Sequence, residues 1–248
     1  MYPIAHLYFV ELFLERLDDA AILGSIFPDL IILSGLDWKT SHSLGEKIWH
    51  HFRCSDEEKV LFALGVISHG IKPRGLDYYS DEKYGTFERG YCFEKARPLV
   101  DAVVEACSLS SNDGWWKAHN FIEMGVELYL YNRRPELISY LRRAFCNVAL
   151  IDSLIRDLSP VLGIEEVKLR KSLEKFRQFA LDEPIDALAL ALRYQRQIYY
   201  SHKIESINIS QSMDIIERGK RMILPDIEAF FQYVKGEMAR VWPDLKYK

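Results

Sequence analysis

Apolar residues recur at helical spacing from Ile4 to Leu17, where Leu17-Asp18-Asp19 closes the segment with turn chemistry. The next apolar run, AAILGSIFPDLIILSG, is interrupted by Gly24 and Ser25, and Pro28 fixes the chain just before Asp29. This pattern predicts a turn holding an acid between apolar neighbours. Asp29 then either caps a short helix over Leu30 to Leu33 or ligates a metal ion. A helix follows the SHSLG stretch and ends near His50 and His51, where histidine complements the helix dipole. Ser55 and Glu58 are spaced as a capping box for a strongly apolar helix through Val60 to Ile67. That helix ends at His69, and the Gly/Pro-containing turn IKPRGLDYYSD then delivers Asp77.

Residues Asp81 to Gly114 read as a connecting helix with looser flanks, carrying Pro98 near Ala96 to Ala106. Trp115-Trp116 leads into the stretch that organises the chain, Lys117 to Tyr131. As a helix it sets His119, Glu123 and Glu127 in one line at four-residue spacing, with apolar residues over the rest of its surface. After Asn132-Arg133-Arg134-Pro135 the character changes. Pro135–Leu158, Ile164–Leu181, Pro184–Ser201 and Ser210–Trp242 read as four amphipathic helices joined by short turns. The expectation is an all-α fold with a helical core over 1–132 and a C-terminal helical region over 133–248, packing on that core or continuous with it.

Composition adds bounds. With 248 residues, 49% hydrophobic and 27% charged, the chain reads as an ordinary globular protein. A net charge of −4 gives no strong signal for nucleic acid or an anionic membrane as partner. Cys54, Cys92, Cys107 and Cys146 lack tight spacing, so neither a cysteine zinc site nor a disulfide framework is expected. No basic leader or membrane-spanning run is read at the N-terminus, where His6, Glu11 and Glu15 interrupt the apolar residues; the expected location is the cytoplasm.

A buried helix carrying His and Glu on one side must satisfy both. A metal ion does so with two ligands from one rigid element, and a hydrogen-bonded His–Glu pair does so without a metal. His6, the IFPDL turn with Asp29, SHSLG with His42, ALGVISHGI with His69, and His119 with Glu123 occur in an informative order. Over about the first 130 residues this order resembles the zinc-dependent phospholipase C family, whose all-helical fold is shared with certain zinc-dependent single-strand nucleases.

The resemblance implies a zinc cluster of two or three ions held by His6, Asp29, His42, His69, His119 and Glu123, with Glu127 supporting Glu123. The family places an aspartate four residues after the fourth histidine, where this chain has Pro73; Asp77 is the expected replacement. Imidazole and carboxylate ligands suit zinc, with manganese or iron as alternatives. The activity implied is hydrolysis of a phosphoester, phospholipid-like or other, with Asp29 and Asp77 as catalytic carboxylates. An HD-type nucleotide phosphohydrolase would need an adjacent His-Asp pair, which the sequence lacks. The non-enzyme alternative is a helical scaffold that keeps the fold without the activity.

Overall fold

The computed structural model describes residues 1–181 and 185–241, and among these the chain is helical with no strand. The helices run in chain order as α1 (Pro3–Leu14), α2 (Asp19–Ile32), α3 (Trp38–Ser41), α4 (Gly45–Phe52) and α5 (Glu57–His69). A π-helical turn at Tyr78–Glu82 precedes α6 (Tyr91–Ala96), α7 (Val100–Cys107) and α8 (Ser111–Arg133). Then come α9 (Glu136–Cys146), α10 (Val148–Leu162), α11 (Glu166–Ala180), α12 (Ala187–His202), α13 (Ile209–Ile223) and α14 (Ile227–Val241). Pro184 and Trp242, expected above as helix ends, lie outside the described residues.

Contacts cluster into two units. One comprises Met1–Ala5, Tyr79–Arg134 and Asp182–Phe230; the other comprises His6–Tyr78, Pro135–Leu181 and Phe231–Lys248. Each unit therefore draws on residues from both sides of position 132.

The second of these units is built on α2 and α5. Asp56 caps α5 by accepting the Lys59 N–H at 3.1 Å, so the cap falls one residue later than the expected Ser55 box. Every residue from Val60 to His69 is buried. The helices cross with their backbones touching: a Cβ on Gly24 would lie 2.0 Å from the Phe62 carbonyl oxygen, and one on Gly65 would lie 2.4 Å from that of Ala21. This close crossing explains why α2 runs unbroken through Pro28, contrary to the predicted turn. Gly24 and small Ala20, Ala21 and Ser25, with Gly65 facing them from α5, let α2 bury nearly every side against neighbours, and that burial outweighs the hydrogen bond a mid-helix proline forfeits. Asn147 splits the helix expected over Pro135–Leu158 by leaving helical geometry and accepting the Leu150 N–H at the start of α10.

The first unit is organised around α8, against which α6, α7 and α13 pack. Ser110 caps α8 by accepting the Asp113 N–H at 3.1 Å. Gly125 and Gly219 let α8 and α13 approach closely, a Cβ on Gly125 falling 2.5 Å from the Lys220 nitrogen. Pro98 divides the connecting helix expected between Asp81 and Gly114 into α6 and α7, joined by a 3-10 turn. All four cysteines are free; Cys92 and Cys107 are buried in this unit, whereas Cys54 and Cys146 are exposed in the other.

Candidate metal centres

His6, Asp29, His42, His69 and Asp77 converge in the second unit. Helix α5 ends with His69 directed at α2, where its Nδ1 lies 2.6 Å from the Ser25 carbonyl oxygen. A carbonyl only accepts, so Nδ1 carries a proton, which leaves Nε2 as the nitrogen with a lone pair in the neutral ring. His42, just beyond α3, has Nδ1 2.9 Å from the Trp38 carbonyl oxygen and 2.9 Å from the Ser41 hydroxyl, and Trp38 stacks on its ring. The two Nε2 atoms meet 3.1 Å apart. Asp77 Oδ2 sits 3.2 Å from each, and Asp29 Oδ1 is 3.4 Å from His42 Nε2 and 3.9 Å from His69 Nε2. His6 lies flat on His69 with ring centroids 3.6 Å apart, and its Nε2 is 3.4 Å from Asp77 Oδ1.

Two triads within this set, His6–Asp29–His69 and His42–His69–Asp77, have donor atoms close enough for one ion each. His69 belongs to both. All five residues are buried except Asp29, whose side chain is 26% exposed. Asp29 projects from the last turn of α2, neither at a turn nor as an N-cap.

Burial and the neighbouring His69 push His6 well below the ordinary histidine value. Burial alone would also lower His42, but Asp29 and Asp77 raise it to about 9. Burial alone would raise both carboxylates, yet the N-terminal ammonium and then the imidazoles hold Asp77 well below its usual range, and the imidazoles of His69, His42 and His6 hold Asp29 down to about 2.

His42 therefore stabilises the metal-free fold fully below its unfolded value of 6.5, and that contribution is lost as pH rises towards about 9. A metal-loaded site needs neutral imidazole, so its stabilisation grows with pH through the unfolded histidine range. The midpoint of thermal unfolding should fall between these limits in excess chelator and hold steady or rise with zinc. Parallel profiles in differential scanning calorimetry would exclude a metal at His42.

A separate donor group occupies the first unit: Asp81, His119 and Glu123. Asp81 comes from the π-helical turn, and the other two from successive turns of α8. Burial lowers His119 to about 4, keeping the imidazole neutral at ordinary pH. Its buried Nδ1 has no hydrogen-bond partner among the described residues. Asn120 links the helix donors, its amide nitrogen lying 3.1 Å from His119 Nε2 and donating to Glu123 Oε2 at 3.3 Å. Glu127 has a different occupation. Its two oxygens accept the Ile4 and Ala5 N–H groups at 3.1 and 3.2 Å, capping the start of α1, and burial raises it to about 7.

Thus His6, Asp29, His42 and His69 come together with Asp77, and His119 and Glu123 come together with Asp81. His50 and His51 are exposed at the end of α4, outside both groups. Asp81 and Asn120 escaped sequence reasoning. Asn120 adjoins His119 in the HNFIE run, which was its available signal; Asp81 had none, because the register of a π turn leaves no periodicity to read. No protein-family model, curated protein or solved structure matches the chain.

Proposed function

We propose that the protein is a metal-dependent phosphoester hydrolase of the phospholipase C kind, using zinc, with manganese or iron as alternatives, on a phosphodiester such as a phospholipid. The observation that carries this reading is the meeting of the His42 and His69 Nε2 atoms, 3.1 Å apart, over one Asp77 oxygen. Facing lone pairs and a carboxylate in a buried site repel one another unless a cation or protons lie among them. The Nδ1 contacts with backbone carbonyls fix the imidazoles as ligands of metal sites are commonly fixed. In the other group, the buried His119 with the Asp81 and Glu123 carboxylates at ligand distance fits the same donor chemistry.

A bound divalent ion supplies positive charge to phosphoryl oxygens and makes water a nucleophile near neutral pH. The protein's own part begins with Asp77, which holds three imidazoles in register. Asp29 has the partly open carboxylate, suited to orient an incoming water. The Ser25 and Trp38 carbonyls keep His69 and His42 in their ligating tautomers.

Hydrolysis of bis(4-nitrophenyl) phosphate and headgroup release from phosphatidylcholine, measured alongside metal content by plasma mass spectrometry, test this. Asp29→Asn is expected to lower kcat roughly 100-fold or more. A wild type that takes up no zinc or manganese, or that is loaded and inert on both substrates, would overturn the proposal.

A further inference from the structure

Beside the Asp81, His119 and Glu123 group, the chain from Asp81 to Gly90 doubles back on itself. The Gly90 N–H donates to the Asp81 carbonyl at 3.2 Å, and the Tyr84 N–H donates to the Arg89 carbonyl at 3.1 Å. A Cβ on Gly90 would fall 2.2 Å from the Ser80 carbonyl oxygen and 2.3 Å from the Asp81 nitrogen, so no other residue fits this approach without displacement. The Arg89 backbone is thereby tied to a residue of the donor group.

Its side chain is fixed from another direction. The Arg89 Cζ lies 4.8 Å from the Phe93 ring centroid and 5.1 Å from that of Trp116. Phe93 in turn stacks on His119, with centroids 4.1 Å apart and planes 15° from parallel. Arg89 is therefore coupled to Asp81 through the main chain and to His119 through one intervening ring. Two aromatic faces hold the planar guanidinium, which reduces the entropy lost when it binds an anion.

The charge so placed is little used by the protein. Among the described residues the one carboxylate within ion-pair distance is Glu82, 3.8 Å from Nη1, and Nε has no hydrogen-bond partner. Arg97 offers the contrast: its Nε donates to Glu94 at 2.6 Å and its Nη2 donates to Glu88 at 3.1 Å. Arg89 also keeps 25% of its side chain exposed, although Nε itself is buried.

We propose that Arg89 is the anion-recognising residue of this donor group, binding a non-bridging phosphoryl oxygen of the substrate through its guanidinium. The proposal rests on the hydrolase reading, which supplies the phosphoester. The fork of N–H groups matches phosphate oxygens in pairs, a match an ammonium group cannot reproduce.

Full-length zinc-loaded protein, titrated with inorganic phosphate in a calorimeter, tests it using Arg89→Met and Arg89→Lys. The methionine variant should bind phosphate roughly 10- to 100-fold more weakly, with zinc content unchanged. Lysine, which restores the charge without the fork, should recover part of the loss. Unaltered phosphate affinity in Arg89→Met with full zinc would overturn the proposal while leaving the hydrolase reading intact. So would zinc lost together with phosphate binding, which would assign Arg89 to supporting the donor group. A wild type that takes up no zinc would instead remove the hydrolase reading, and this proposal with it.

Discussion

Replacing His69 with alanine should empty the imidazole-rich donor group. His69 belongs to both triads of that group, so the substitution leaves each with two donors. It also removes the side-chain partner of the Ser25 carbonyl and the ring on which His6 stacks. Loss of an outer hydrogen-bond partner costs a metal site about 10- to 100-fold in affinity, and loss of a shared ligand should exceed the upper end of that range. Competition with a chromophoric zinc chelator measures the change, and plasma mass spectrometry counts the ions retained. The Asp81, His119 and Glu123 group shares no residue with either triad, so an ion held there should remain. Unchanged zinc affinity and stoichiometry in His69→Ala would show that the convergence of Nε2 atoms is a polar core contact and no metal site.

Replacing Gly65 with alanine should produce one of the largest stability losses available from a single methyl group. The added carbon would fall 2.4 Å from the Ala21 carbonyl oxygen and 2.8 Å from the Ser25 nitrogen, both backbone atoms of a buried helix. Neither can swing aside, so α2 and α5 must separate, at a cost of about 3 kcal/mol for overpacking of this kind. In a protein of this size the midpoint of thermal unfolding would fall by about 6 to 12 °C. Ser25 is also the residue whose carbonyl orients His69, so zinc affinity should decline with stability. Gly236→Ala is the control: nothing lies within 4 Å of its added carbon, and in helix α14 it should gain about 0.5 to 1 kcal/mol. Equal melting temperatures for the two variants would contradict the close crossing.

The parts of the fold legible in the sequence were those with periodicity or capping chemistry. The apolar run from Val60 to Ile67 and the His119, Glu123, Glu127 line both predicted buried helices, and α5 and α8 are those helices. Pro28 misled, because its local preference for a turn is weaker than the burial available to a continuous α2. The split at Asn147 was missed since the apolar period passes from α9 to α10 without interruption. Asp77 was found by looking for an acid after Pro73, whereas Asp81 was hidden by the π turn. Glu127 was placed correctly on the buried seam, but its bonds to Ile4 and Ala5 cross more than a hundred residues of chain, a distance no local pattern encodes.

The distribution of cysteines gives the molecule a built-in pair of clocks. Cys54 and Cys146 are open to solvent in one unit, and Cys92 and Cys107 are enclosed in the other. A thiol reagent therefore modifies two sites in the native protein at once, and the other two only as fast as their own surroundings open. Read peptide by peptide, the slow pair times the loosening of the unit that carries Asp81, His119 and Glu123 with no engineered label. An ion bound there would lengthen that interval.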